Sequence, residues 1–578
     1  MADGADIVIR GGTIADGRGG ELYEADIAVS GGRIVEVGKV LAKGAEEIDA
    51  KGKLVTPGFV DVHTHYDGQV TWSNDVTPSS QNGVTTVIMG NCGVGFAPCR
   101  PTDHTRLIEL MEGVEDIPEP VLSAGIPWEW ESFPELVNWL SKRSYDVDVG
   151  TLLPHAAVRV YVMDDRGARR EPATAEDSKA MAAIAADAIR AGALGFSTSR
   201  TINHRTSTGD FTPTLKAGED ELTAIANAMR AAGPSYLQFV LDNDSVVEDL
   251  PMMLRVAENT RCPISFLVSQ HPRSPDRYRE TLDQLATANA KGIQVTAQVA
   301  ARAVGLLLGL ELSRHPFQTL PSYKAIAHLP LAERVKRMRD PAVRAAILSE
   351  QPEKTSDPLF SRPNYDWTFL LGNPPDYEQP RENSLSARAA REGKSPQELA
   401  YDAMLQDEGR GMLYVPGTNY ARGNLDAVHD MLTDPSAVPG LSDGGAHCGI
   451  ICDASFPTFL LTHWTRDRKR GEKLSIPFVV EAQARRTAEL VGLRDRGVLA
   501  RGYKADINVI DYDKLHLHPP QVHYDLPKGG RRLVQQIDGY DATIVSGVIS
   551  RRRGQSTGAR SGRLVRGVQS APVAQAAE

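Results

Sequence analysis

Short apolar runs set off by glycine turns open the chain. Asp6-Ile-Val-Ile-Arg-Gly-Gly, Asp26-Ile-Ala-Val-Ser-Gly-Gly and Arg33-Ile-Val-Glu-Val-Gly each read as a strand and its turn. Strands this short bury little alone and need partners from elsewhere. Matching runs recur near the other end, in Gly502-Tyr-Lys-Ala-Asp-Ile-Asn-Val-Ile-Asp and Ala542-Thr-Ile-Val-Ser-Gly-Val-Ile. Residues 1–58 and 496–555 are therefore expected to form one small β-sandwich built from both chain ends. Between them, over residues 59–495, the pattern alternates between strand and helix. Val84–Met89 reads as a strand, as does Val149–Leu153, which ends in Pro154-His155. Thr174 suits a helix N-cap, Met181, Ile184 and Ile189 line one face, and Gly192 stops the helix before Leu194-Gly195-Phe196. A second helix, Glu219–Ala232, leads into Tyr236–Leu241, and further strand runs start at Ile264, Gln294 and Val438. About eight such units predict an α/β fold, a (β/α)8 TIM barrel whose chemistry lies at the C-terminal ends of its strands.

Two stretches fall outside this rhythm. Residues about 303–390 are rich in Pro, Arg and Leu with little strand character. They read as a loop insertion that either caps the barrel mouth or makes a subunit contact. Residues 556–578 carry Arg, Ser, Gly and Ala without apolar periodicity and read as a mobile or subunit-wrapping tail.

Candidate chemistry sits at the predicted strand ends. Phe59, Val60 and Val62 follow Pro57-Gly58 as one buried strand, and His63 and His65, two apart, leave the same face at its C-terminal end. Two neutral imidazoles converging on one point make half of a divalent-metal site. The same spacing also fits two unrelated surface histidines. Cys92 follows a six-residue strand, where a thiolate is a strong zinc ligand and a thiol is an ordinary core residue. In Leu441-Ser-Asp-Gly-Gly445, Asp443 either opens a turn or binds a metal through one oxygen and takes a proton from water through the other.

Composition narrows the class. The 578 residues are 41% hydrophobic and 24% charged, ordinary for a globular protein, with a net charge of −10 that argues against nucleic acid as a bulk partner. No run of eighteen apolar residues occurs, and the Met-Ala-Asp-Gly start lacks a basic, apolar leader, so a cytoplasmic protein without membrane partners is expected. Five cysteines make no disulfide framework.

Pro57-Gly-Phe-Val-Asp-Val-His-Thr-His65 resembles the first-strand motif of the amidohydrolase superfamily. Gly83-Val-Thr-Thr-Val87 with Gly90-Asn-Cys-Gly93 is similar to its N-acyl-D-amino-acid deacylase (D-aminoacylase) branch. The resemblance covers nearly the whole chain. It implies a TIM-barrel metal-dependent amidohydrolase domain with a small β-sandwich, and metal ligands His63, His65, Cys92 and Asp443, with Cys92 in place of a carbamylated lysine. Asp443 would serve as general acid and base. The chain departs from the family where members usually place histidines on the fifth and sixth strands: here stand Gln238 and Gln270, with His271 adjacent. An amide oxygen is a poor zinc ligand beside imidazole or thiolate, so one zinc ion is expected and a second is not supported. The loop after the fourth strand also differs. Arg200, His204 and Arg205 are candidates to grip a substrate carboxylate. His155, Gln238, Gln270 and His271 complete the substrate-binding candidates, and His447 lies four beyond Asp443. The function implied is hydrolysis of a carbon–nitrogen amide bond in a small molecule such as an N-acyl-D-amino acid, by a homo-oligomer. A cyclic amide or imide hydrolase, or a metal-poor binder without turnover, are the alternatives.

Overall fold

The computed structural model describes residues 4–242, 246–351 and 363–573. Residues 352–362 of the expected insertion and 574–578 of the expected tail lie outside them. Eight strands form the barrel: β1 (Phe59–Asp61), β2 (Val84–Met89), β3 (Asp148–Pro154), β4 (Gly195–Arg200), β5 (Tyr236–Leu241), β6 (Ile264–Leu267), β7 (Val295–Val299) and β8 (Ala437–Pro439). They pair in sequence order, every pair parallel. All six residues of β2 and all seven of β3 are buried, as a parallel strand covered on both faces requires. The seam closes just beyond β1 and β8. Thr64 bridges Gly444, His65 N–H donates to Gly444 O at 2.8 Å, and Asp443 N–H donates to His63 O at 3.2 Å. Helix signals are where the sequence puts them. Thr174 and Asp177 form a capping box on helix Ala175–Ala191, and Gly192 ends it at φ 114°.

The two chain ends share a nine-stranded sheet in which Leu54–Pro57 lies antiparallel to Ile507–Ile510. Ile9, Ile27, Val29, Ile507, Val509 and Ile544 meet in its core. Not all of residues 496–555 join this sheet. His516–Leu526 and Gly530–Asp538 leave it as a separate antiparallel hairpin. Its Leu517, Leu526 and Leu533 pack into the barrel's core cluster, and Leu533 N–H donates to Cys448 O at 2.7 Å, beside the loop after β8. Local alternation is the same for a sheet strand and for this hairpin, so only tertiary packing separates them.

The insertion after β7 is more ordered than its composition suggests. Val304–Leu308, Phe369–Leu370 and Leu413–Thr418 form a three-stranded antiparallel sheet, so the segment runs on past residue 390. Leu308, Phe317, Val335, Met338, Tyr401 and Leu413 give it a core of its own. The tail corrects another expectation, because its described part is strapped to its own barrel. Tyr145 and Gly562 exchange N–H to carbonyl bonds of 2.9 Å, Val565 N–H donates to Val149 O at 2.8 Å, and Arg560 pairs with Asp75 at 2.9 Å. Among the described residues no helix is long and apolar enough to cross a membrane.

Asp148, at the start of β3, joins these parts. Its carboxylate takes Arg496 at 2.7 Å, Lys504 at 3.1 Å and the Arg563 N–H at 2.9 Å, all in a buried setting. Removing one partner of a buried ion pair costs about 3–5 kcal/mol because the other charge stays buried. Asp148→Ala should therefore lower the thermal unfolding midpoint in calorimetry; an unchanged midpoint would contradict the role given to this cluster.

Candidate metal centre

His63 and His65 emerge from the end of β1 with 0% and 1% exposure. One ligand atom from each, together with Cys92 Sγ, falls within a sphere of mutual distances no longer than 4.8 Å. His63 Nε2 is 3.3 Å from Cys92 Sγ. Asp443 Oδ1 stands 3.6 Å from Nε2 of both imidazoles. Cys92 and Asp443 both sit at left-handed backbone angles, φ 56° and 47°. A non-glycine residue held there costs on the order of 1–3 kcal/mol and marks a position that the surroundings enforce. Gly90, at φ 81°, makes the bend before Cys92, since a Cβ there would collide with Leu152 O. Cys92 N–H in turn donates to Gln238 Oε1 at 3.2 Å.

Surrounding groups fix which ring atom faces inward. His63 Nδ1 lies 2.7 Å from Gln298 Oε1, an atom that can only accept, so Nδ1 carries the proton and Nε2 presents its lone pair. Gln298 is steadied by donating to Ser265 Oγ at 3.1 Å. His65 Nδ1 faces the buried Glu115 carboxylate at 3.3 Å. Ser442 Oγ donates to Asp61 Oδ2, next to the seam.

Electrostatics set the protons. Burial draws His63 down to about 4. Burial also opposes charge on His65, but Glu115, Cys92 and Asp443 together lift it well above its ordinary value. The Cys92 thiol is pushed up to about 12 by burial. Burial alone would raise Asp443; the His65, His63 and His447 rings hold it at about 2. Two buried polar atoms, His65 Nε2 and Asp443 Oδ1, have no hydrogen-bond partner although they face one another. A divalent cation between them satisfies both, and two imidazole nitrogens, a sulfur and a carboxylate oxygen are the donors that zinc takes. The residues fit a metal.

The remaining sequence candidates scatter. His204 turns toward the centre: Nδ1 meets Ser199 Oγ at 2.9 Å, while burial first, then the charges of His447 and His65, draw its pKa down to about 3. Gln238 backs Cys92 as described. His155 has both nitrogens engaged, by Thr198 and Glu221 at 2.8 Å each. Arg200 pairs with Asp249 at 2.9 Å, and Arg205 stacks 3.8 Å from the Phe211 ring centroid, so neither reaches in to grip a carboxylate. Gln270 lies beyond the end of β6, its Oε1 accepting from Ala421 N–H at 3.0 Å. His271 accepts from Arg273 N–H within a local turn.

Glu115 and Gln298 were not singled out in the sequence. Glu115 carried a signal: Leu107, Met111 and Glu115 are spaced by four along helix His104–Glu115, which puts a carboxylate on the buried stripe. Gln298 is a polar residue inside a buried strand, a weaker sign.

A parallel eight-stranded barrel with a His-His-Cys-Asp cluster at its C-terminal mouth defines the class. Residues 46–551 match the amidohydrolase family, and the chain belongs to that family. A 296-residue stretch is 34% identical to the N-acyl-D-aspartate deacylase of Alcaligenes xylosoxydans xylosoxydans, covering 50% of this chain and 54% of that protein. The chain thus spans about half the length of the curated deacylases it matches. It is 27% identical over 591 residues to an uncharacterized protein of Mycobacterium tuberculosis, covering 96% of this chain and 93% of that one. Among solved structures, the N-acyl-D-glutamate deacylase from Bordetella bronchiseptica, complexed with zinc and a phosphonate inhibitor, aligns with a TM-score of 0.65 at 22% identity. That alignment covers 97% of this chain and 100% of the other, a likeness that establishes the fold.

Metal uptake at pH 7 should release at least one proton per ion, from the Cys92 thiol, with a further contribution from His65, which Glu115, Cys92 and Asp443 push toward its protonated form. The loaded state then binds fewer protons than the free one, so affinity rises with pH. Titration calorimetry in buffers of different ionisation enthalpy reads the number, and uptake without proton release would contradict this assignment. Cys92→Ala should lose the metal with the fold intact by circular dichroism, and full metal retention would make Cys92 a packing residue.

Proposed function

We propose that the chain is a metal-dependent hydrolase of carbon–nitrogen amide bonds that acts on N-acyl amino acids with one zinc ion per chain. The observation that carries this is the convergence of His63 Nε2, His65 Nε2, Cys92 Sγ and Asp443 Oδ1 at the barrel mouth. Names of the family relatives, N-acyl-D-aspartate deacylase, D-aminoacylase and N-acyl-D-glutamate deacylase, supply the substrate class. One ion rather than two follows from β5, where Gln238 offers an amide already accepting from Cys92 N–H.

Bound among these atoms, zinc supplies a Lewis acid for the substrate carbonyl and lowers the pKa of the attacking water. The chain's own residues do the rest. Held at about 2, Asp443 is ionised at neutral pH, accepts a proton from that water and hands it to the leaving nitrogen. A cavity of about 20 Å³ bounded by Asp443, Gly445, Cys448, Arg532 and Leu533 adjoins it, room for about one water molecule. His204, on the loop after β4 and within electrostatic reach of His447, His65 and Asp443, is the candidate to meet the substrate. A second reading, an uncharged cyclic amide or imide substrate, is favoured by the engagement of Arg200 with Asp249 and of Arg205 with Phe211. A zinc-loaded panel of N-acyl-D- and L-amino acids and cyclic imides separates the two; turnover of none of them would refute both.

Asp443→Asn should reduce kcat by on the order of 10²–10⁴-fold with KM little changed, because an amide cannot take the proton. Turnover within a few-fold of wild type at equal zinc content would make Asp443 a turn residue.

A further inference from the structure

We propose that Glu115 is a positioning residue of the metal centre: its carboxylate holds the His65 ring at Nδ1 so that Nε2 faces the cation. This rests on the metal-binding reading above. Glu115 ends helix His104–Glu115, between β2 and β3, and is 1% exposed. Its Oε1 lies 3.3 Å from His65 Nδ1. Both atoms are buried and neither makes a hydrogen bond among the described residues, so their 3.3 Å contact is an ion-pair approach whose angle falls short of a hydrogen bond. Each is the group placed to satisfy the other. The stripe of Leu107 and Met111 gives a carboxylate no packing reason to be there, since a leucine would fill the same space.

The two imidazoles are held by acceptors of different chemistry. Gln298 offers His63 a neutral amide oxygen, whereas Glu115 offers His65 a carboxylate. A carboxylate on Nδ1–H fixes the tautomer and makes the opposite nitrogen the better donor to metal. His65 is accordingly the stronger imidazole ligand of the pair.

Glu115 also ties this geometry to the loop that carries Asp443. Its Oε2 stands 3.6 Å from His447 Nε2, and its carbonyl accepts the His447 N–H. The next residue, Asp116, accepts from Ser313 Oγ at 3.0 Å and from Gly449 N–H at 3.2 Å, which anchors the insertion and the same loop. Ser207 N–H donates to Glu109 O at 2.9 Å, so the loop bearing His204 rests on this helix as well. Asp116 shares the anchoring but does not touch His65, which makes it the control for a merely structural role.

The test measures zinc affinity of the full chain by competition with a chromophoric chelator, alongside thermal unfolding of the metal-free protein. Glu115→Leu should weaken zinc binding by about 10–100-fold. Glu115→Gln should lose roughly tenfold or less, because its amide oxygen still accepts from Nδ1–H. Asp116→Ala should lower the unfolding midpoint and leave zinc affinity within about twofold. Nitrogen-15 shifts of labelled histidine in the zinc-loaded protein should report His65 protonated at Nδ1 in wild type and in Glu115→Gln. Wild-type zinc affinity in Glu115→Leu overturns the proposal, and so does an equal loss of affinity in Asp116→Ala. Should Glu115→Leu not fold, Glu115→Ala takes its place under the same criterion. A wild-type chain that takes up no zinc fails at the earlier reading and removes this one with it, whereas zinc-binding wild type with unaffected variants fails here alone.

Discussion

Closing an eight-stranded barrel requires β8 to hydrogen-bond back to β1, and here the last bonds fall beyond both strands. They join His65 N–H to Gly444 O and Asp443 N–H to His63 O. The residues that pair are the residues that carry the donors or their immediate neighbours. Closure of the fold therefore sets the distance between the histidine pair and the aspartate, and Asp443 reaches 3.6 Å from both Nε2 atoms without any loop having to fold over. Register is strict in such a seam. A slip of one residue would turn His63 and His65 to the outer face and dismantle the cluster.

The cluster so assembled is electrostatically unsatisfied on its own. His63, Cys92 and Asp443 are pulled in different directions by burial and by one another, and two of the facing polar atoms lack partners. Buried polar groups left unpaired are destabilising, and natural proteins retain them where a ligand completes the set. Backbone strain points the same way, since both Cys92 and Asp443 occupy left-handed angles. The hairpin His516–Leu526 and Gly530–Asp538 covers the loop after β8 from outside, with Arg532 donating to Thr77 O at 2.7 Å.

Period-two spacing and glycine punctuation made much of this legible in the sequence. The barrel followed from alternating runs and, for the most part, from the family resemblance, the helix ends from Thr174 and Gly192, and the shared face of His63 and His65 from strand geometry. What escaped depends on partner choice in three dimensions. Arg200 has an acidic partner, Asp249, on the helix after β5, which no local pattern announces. Gln270 reads as a strand position in the sequence, but β6 ends at Leu267 and Asn419 Oδ1 accepts the Gln270 N–H at 2.7 Å. Glu115 lies far along the chain from His65, and only its place on an apolar stripe hinted at a buried role. The hairpin falls within the 496–555 span expected to form the sandwich, because alternation shows that one face is buried without showing against what.

Cobalt(II) substitution tests the central claim most directly. Cobalt bound by a thiolate shows a sulfur-to-metal charge-transfer band in the near ultraviolet, and tetrahedral coordination gives intense visible bands. The arrangement of His63, His65, Cys92 and Asp443 predicts both signals at one cobalt per chain, with the charge-transfer band lost in Cys92→Ser. A cobalt-loaded chain with no thiolate band, or with a band that survives Cys92→Ser, would contradict the account.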